Sequence, residues 1–315
     1  MENRRFVALG DIIADFFYYD TKLLGVDGGS SRFNVIANLA RKNCNCVIIG
    51  GCGNDQYGRT IIKRLECMGV DISKIAYRDR PVRSFHLTIN KENLPQISYR
   101  CSRKSPINNE STWYEDNLED VSGYCRELSK DRDVVILDSL EDFSLEIMRQ
   151  TPCDKILDIG SVNQLNRLKD EQLDTIRNSI EILQLNEVVL PSLRERFGCE
   201  SILDVYHFLN PRLMIVTYGR NGADFAFENR VYNKQLQESA KEVDATGAGD
   251  AFLSVFVRRY YDNSKRLNEE FIDRTFREAT SLTSEVVQTV GARGHLYDRT
   301  INKVSNDLKQ NEHEI

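Results

Sequence analysis

Proline is scarce, with 6 in 315 residues, glycine stands at 18, and there is one tryptophan. A chain so poor in glycine and proline is neither fibrous nor low-complexity, and 9% aromatic residues exclude a disordered one. No window approaches ~18 uninterrupted apolar residues. The opening MENRRFVALGDIIADFF is broken by Asp11 and Asp15 before an apolar segment of signal-peptide length develops. A soluble, cytoplasmic protein that meets no membrane is expected. Nor is there an excess of positive charge: 42 Lys+Arg against 48 Asp+Glu give −6, so no global field gathers nucleic acid. Cys44 and Cys46 are too close for a CxxC, the other six cysteines are scattered singly, and His86, His207, His295 and His313 neighbour none of them at finger-like spacing. Plain thiols in a reducing compartment are expected.

What is present is alternation. Phe6–Leu9, Cys46–Ile49, Val134–Leu137, Lys155–Ile159, Ile182–Leu185 and Leu213–Thr217 read as strands, most of them apolar on both faces and suited to a parallel sheet. Between them, Asn34–Lys42, Arg59–Met68 with Gly69 as its stop, and Asn163–Ser179 carry helical spacing. The pattern predicts an α/β fold with a doubly wound, mostly parallel central sheet flanked by helices. One stretch departs from it. Ser84–Asn90 and Gln96–Arg100 alternate in polarity and are joined by KENLP, an antiparallel hairpin signature. FFYYD followed by the turn-rich GVDGGSS adds short strand-and-turn material, and the two pieces are expected to pair into a small projecting sheet. The expected division is 1–10, 36–79 and 103–315 for the large domain, with 11–35 and 80–102 forming the small β lid. The polar KVSNDLKQNEHEI is expected to fray beyond the last helix.

The stretch VDATGAGDAFLSVFVRRYY carries the chemistry. Asp244 to Asp250 places two glycines and two carboxylates in seven residues, ahead of a helical run from Ala251 to about Tyr261. Small residues entering a helix leave backbone N–H groups converging with the positive end of the helix dipole, an arrangement that attracts an anion. Asp250 is then either a helix cap or, if the loop holds a phosphoryl group in transfer, a base beside the anion hole. The loop alone leaves both readings standing. No Lys-Ser/Thr pair follows the glycines and no GxGxxG follows the first strand, so neither a Walker A loop nor a dinucleotide fingerprint is present.

DATGAGDAF resembles the C-terminal signature of the ribokinase-like (PfkB) carbohydrate kinases. Some two hundred residues earlier, GGSSRFNVIANLARKNCNCVIIGGCGNDQYGR is similar to the family's N-terminal signature of a Gly pair, an Asn and a later Gly-x-x-Gly-x-Asp-x-x-Gly. The resemblance runs from Gly10 to about Gly294. It implies a ribokinase-like fold and ATP-dependent phosphorylation of an alcohol of a ketose, pentose, sugar acid or nucleoside. In those terms Asp250 is the catalytic base, and Gly247, Ala248 and Gly249 supply the anion-hole amides. Asp15 grips sugar hydroxyls, with a turn residue as the plain alternative. Gly29 and Asn34 contact the sugar, although Asn34 also suits a cap; if Gly28-Gly29 is the family pair the Asn comes one residue late, and if Gly29-Ser30 is aligned the second Gly has become Ser.

On the nucleotide side, VTYGRNGADFAF resembles the family's Val-Thr-x-Gly-x-x-Gly-Ala segment, which places Thr217 and Gly219 near phosphates or ribose and Gly222 in a turn. Asn186 and Thr246 join them, and Leu282–Gly291 with Ala292 resembles the adenine-side helix and its exit. The family's Asn-x-x-Glu, which helps to organise Mg²⁺, reads Asn186-Glu187-Val188-Val189. Glu187 is two residues away, about 200° round a helix, so the protein ligands of Mg²⁺ are left open. That loss supports a second expectation, a weakened sugar- or nucleotide-binding regulatory protein on the same scaffold. Asp158-Ile159-Gly160-Ser161 lacks the Asp-Pro-Asn-x-x-Arg of fructokinase-like members, with no arginine before Arg167, so fructose is not singled out. Arg32, Arg83, Phe85 and Arg100 are expected on the lid, where solvated edge charges are the plain reading. A homodimer through the lid sheet is implied as well.

Overall fold

Thirteen strands are found among the described residues of the computed structural model, which are 4–19, 22–89, 97–100, 112–165, 168–236 and 242–297. The strands are β1 (Arg5–Asp11), β2 (Ile13–Tyr19), β3 (Lys22–Gly28), β4 (Asn45–Gly53), β5 (Val70–Arg78), β6 (Arg83–Ile89), β7 (Ile97–Arg100), β8 (Asp133–Leu137), β9 (Asp154–Ile159), β10 (Ile182–Asn186), β11 (Leu213–Thr217), β12 (Ala223–Phe227) and β13 (Arg230–Lys234). The helices are α1 (Ser31–Ala40), α2 (Gln56–Cys67), α3 (Trp113–Asp116), α4 (Leu118–Glu127), α5 (Asp142–Gln150), α6 (Val162–Leu165), α7 (Leu173–Ile176), α8 (Val189–Phe197), α9 (Ile202–Leu209), α10 (Ala248–Asp262) and α11 (Glu269–Val286). Each of the six expected strands falls within one of these.

Contacts divide the chain into two units. The first takes the described parts of Met1–Phe6, Glu119–Ser239 and Val255–Ser281. Its strands follow the order β13-β12-β11-β10-β9-β8. Pairing is parallel from β8 through β11 and antiparallel from β11 to β13. Val134 to Leu137 are fully buried, as strands covered by helices on both faces must be.

The second unit takes the described parts of Val7–Leu118, Ala240–Ser254 and Leu282–Ile315. There the order is β1-β4-β5, with β4 and β5 parallel. Asp55 of the Gly-x-x-Gly-x-Asp-x-x-Gly run caps α2 by accepting from Gly58 N at 2.8 Å, and it also accepts from Val82 N at 2.9 Å. Gly69 follows the helix at φ 90, the left-handed stop that was expected. The same unit carries the small sheet, in the order β3-β2-β6-β7. β2 pairs antiparallel with β3 and parallel with β6, and β6 pairs antiparallel with β7. The connecting KENLP lies outside the described residues, as do Arg167 and the KVSNDLKQNEHEI tail.

Three local expectations need correction. GVDG is strand rather than turn, because β3 continues through Gly28 in register with β2. Asn163–Ser179 is not one helix but α6, a 3₁₀ turn at Asp170–Gln172 and α7. The Gln172 side chain accepts from Lys169 N at 2.8 Å and donates to Asp142 at 2.8 Å, so local capping and a distant carboxylate outweigh the helical period. The third concerns α10, which starts at Ala248, three residues before Ala251.

Cys44, Cys46, Cys52, Cys67, Cys125, Cys153 and Cys199 are free thiols, and Cys101 lies outside the described residues. No described helix is long and apolar enough to cross a membrane.

Candidate active site

Asp250 is the third residue of α10, past the cap position, and is 9% exposed. Its carboxylate is engaged from another helix. Ser31 Oγ donates to Oδ1, and Asn34 Nδ2 donates to Oδ2 at 2.7 Å. Ser31, Asn34 and Asn38 follow one another at three and four residues, so α1 presents them on one face. Asn34 lies inside α1 and does not cap it. Asn38 Nδ2 donates to the Asn34 carbonyl at 2.9 Å, and its Oδ1 lies 3.0 Å from His295 Nε2.

The loop before α10 is clamped to the chain's late segment. Asp244 is fully buried; its Oδ1 accepts from Thr246 N and its Oδ2 from Gly291 N, both at 2.8 Å. Gly247 has φ 81, and a Cβ there would lie 2.6 Å from Ala292 Cα, so both the backbone and the packing require glycine. The tight turn has one cost for the expected anion hole: the Ala248 N–H donates to the Ala245 carbonyl at 3.1 Å. Of the three expected amides, that one is already partnered within the turn. Thr246 Oγ1 is buried with no partner among the described residues.

Asp15 lies on β2, 8% exposed, directly opposite Asp27 on β3. Burial raises the Asp15 carboxyl to about 7; the neighbouring Asp27 pushes the same way and Arg293 opposes it. Burial also raises Asp27, against Arg293 and Arg64. Asp27 Oδ1 accepts from Gly28 N at 2.7 Å and from the Tyr297 hydroxyl, and Arg64 stands 3.7 Å away. A carboxyl raised on folding is protonated in the native chain but ionised in the unfolded one between pH 4 and 7, so stability falls as pH rises through that window. Asp15→Asn should therefore stabilise the protein at pH 8, by up to about 4 kcal/mol, with the gain shrinking towards pH 5. Urea denaturation at the two pH values measures it; an equal gain at both removes the linkage.

Three participants were not foreseen: Ser31, Asp27 and Arg293. Arg293 is 2% exposed; its Nε donates to Asn34 Oδ1 at 2.8 Å and its Nη2 to the Gly29 carbonyl at 3.2 Å. A Cβ at Gly28 would lie 1.9 Å from Arg293 Nη1, and one at Gly29 would lie 2.4 Å from Asp15 Oδ1. The space beside the glycine pair is thus filled by the protein's own guanidinium and carboxylate. The only early signal was composition: a lone Asp before two glycines, and an Arg in an otherwise small Gly-Ala-Arg-Gly turn. Arg32 belongs to α1 rather than the small sheet, with its guanidinium 4.9 Å from the Phe33 ring. Arg83 and Phe85 lie on β6, Phe85 exposed, and the Arg100 side chain is outside the described residues.

Of the expected nucleotide-side residues, Asn186, Thr217, Gly219 and Gly222 belong to the first unit and Thr246 to the second. Asn186 ends β10, and its Oδ1 accepts from Val188 N at 3.1 Å and Val189 N at 3.0 Å, satisfying amides at the start of α8. Asn186→Ala is expected to cost about 1 kcal/mol for that lost cap, read from the midpoint of thermal unfolding. Thr217 ends β11 with Oγ1 donating to the Leu185 carbonyl at 3.3 Å. Gly219 opens an exposed 3₁₀ turn, and Gly222 closes it at φ 101. Val189 is fully buried and Glu187 exposed. Among the described residues no group of three or more His, Cys, Asp or Glu side chains is arranged to hold a metal ion.

A family model described as "pfkB family carbohydrate kinase" matches residues 27–298. A fructokinase of Salmonella typhimurium is 24% identical over 330 residues, covering 96% of this chain and 99% of its own. Among solved structures, a nucleoside kinase of Methanocaldococcus jannaschii, an archaeal member of the ribokinase family, superimposes with a TM-score of 0.72 at 15% identity, covering 98% of each chain. A fructokinase of Vibrio cholerae, solved with fructose, ADP and calcium ion, superimposes with a TM-score of 0.68 at 18% identity, covering 96% of this chain and 99% of its own. The mostly parallel sheet with flanking helices and a small separate sheet is the fold these kinases share. With the family's two signatures in order and its model matched across 27–298, the chain belongs to the pfkB family of carbohydrate kinases.

Proposed function

We propose that this kinase transfers the terminal phosphoryl group of ATP to a hydroxyl of a small sugar or sugar-like molecule, with Asp250 as the base. The observation that carries the reading is Asp250 itself. It is a nearly buried carboxylate in the first turn of α10, gripped by Ser31 and Asn34 of α1 instead of serving as the cap of its own helix. Asp250 takes the hydroxyl proton as the sugar oxygen bonds to phosphorus, and the bond from phosphorus to the bridging oxygen breaks. The amide end of α10, reached through Gly247 and Gly249, meets the developing negative charge. Asp15, titrating near neutrality, both donates to and accepts from sugar hydroxyls. Gly29 lets that carboxylate lie against the backbone, and the Asn34 amide lies between Asp250 and Arg293.

ATP supplies the phosphoryl group and its leaving diphosphate. The buried, unpartnered Thr246 hydroxyl and the helix end behind Gly247 suit a phosphate, and Thr217 and Gly219 are assigned to the nucleotide. Mg²⁺ would be held by phosphate oxygens and water, a common arrangement for that ion. A homodimer through the small sheet completes the proposal, favoured by exposed Leu23 and Leu24 on its edge strand β3 and by exposed Phe85.

The buried Val189 supports one other reading, a binding or regulatory protein with a weakened metal site. ADP release measured over fructose, other sugars, sugar acids and nucleosides, with and without Mg²⁺, separates the two. Turnover on any of them supports the kinase; calorimetric binding with no ADP over the whole panel supports the regulator.

A further inference from the structure

We infer that Arg293 is a positioning residue: it fixes the Asn34 amide so that the nitrogen, and not the oxygen, faces Asp250. The inference rests on the reading of Asp250 as the base. A side-chain amide has a donor end and an acceptor end, and rotation by half a turn exchanges them. Reversed, Asn34 would set its oxygen against a carboxylate oxygen. A guanidinium has donors only, so Arg293 Nε at 2.8 Å from Asn34 Oδ1 admits one orientation, which sends Nδ2 to Asp250 Oδ2 at 2.7 Å.

Arg293 is itself held. Nη2 donates to the Gly29 carbonyl at 3.2 Å, and the residue is 2% exposed. The order runs Arg293, Asn34, Asp250, with Ser31 Oγ on the second carboxylate oxygen. Both Asp250 oxygens therefore receive a donor that favours the ionised, proton-accepting form. The position also explains why so large a cation is tolerated inside: it lies in the field of Asp15, Asp27 and Asp250, with Arg64 opposing.

The test is a double-mutant cycle on kcat with Arg293→Met, Asn34→Leu and the pair, using ADP release from fructose and Mg-ATP, or from the most active acceptor of the panel. Each single change is expected to lower kcat roughly 10- to 100-fold, and the pair no further than the worse single, because Arg293 acts through Asn34. Fully multiplicative losses overturn the inference. The acid limb of the kcat–pH profile should move to higher pH in Arg293→Met and return part of the way in Arg293→Lys. The charged groups around Asp250 and Arg293 are Asp15, Asp27, Asp244 and Arg64, all retained in both variants. An unmoved limb also counts against the inference. If Arg293→Met does not fold, Arg293→Lys, which keeps the charge but not the planar fork, takes its place in the cycle. If the unaltered protein releases no ADP with any acceptor, the kinase reading fails, and a crystal structure of the Arg293 variant then decides separately. Asn34 turned away from Asp250 supports positioning, and Asn34 unmoved refutes it.

Discussion

Asp250→Asn should lower kcat roughly a hundred- to ten-thousand-fold, the span of a positioned general base, and leave acceptor affinity within a few-fold. Asparagine is nearly isosteric, so the grip of Ser31 and Asn34 is largely kept and α10 retains its first turn. What disappears is the lone pair basic enough to take the hydroxyl proton. Asp15 and the segment around Gly29 are untouched, so the acceptor should still bind. Steady-state ADP release gives the first quantity and titration calorimetry the second. A kcat within twofold of the unaltered protein would take Asp250 out of the mechanism and return it to a structural role between α1 and α10.

Val189→Glu, which rewrites the family's Asn-x-x-Glu in full, should destabilise the protein by about 3 kcal/mol or more and bring no gain in activity. The reason is burial. Val189 is fully enclosed at the first turn of α8, with Leu190 and Leu193 buried beside it, and its N–H is committed to Asn186. A carboxylate there either ionises without a partner or forces the turn open. Urea denaturation gives the stability, and Mg²⁺ titration of ADP release gives the function. Higher turnover at low Mg²⁺ would mean that the position reaches the metal after all.

Much of this was visible in the letters. The β-branched runs lie inside β1, β4, β8, β9, β10 and β11, because strands buried on both faces are mostly apolar, with Lys155 and Gln184 as buried exceptions. Gly69 ends α2 because only a left-handed residue fits there. The glycines and carboxylates from Asp244 to Asp250 marked the loop as a helix start that attracts an anion, while the letters alone left Asp250 open between cap and base. The partners of Asp250 were hidden for a physical reason. Ser31, Asn34 and Arg293 are brought together by tertiary packing across more than 250 positions, and polar residues at a helix start look alike whether they cap it or face another element. Asp27 was masked by its neighbours, for GVDGG reads as a turn until β2 is known to pair with it. The break in Asn163–Ser179 depends on Asp142, thirty residues from Gln172.

The clamp between Asp244 and Gly291 bears on how this enzyme can be handled. The last described residues carry Arg293 and the Gly291 amide that latches the loop, so the proposed catalytic group is completed by residues late in the sequence. On the proposed mechanism, a protease nick or a premature stop near Val290 would therefore disarm the protein while sparing every described strand.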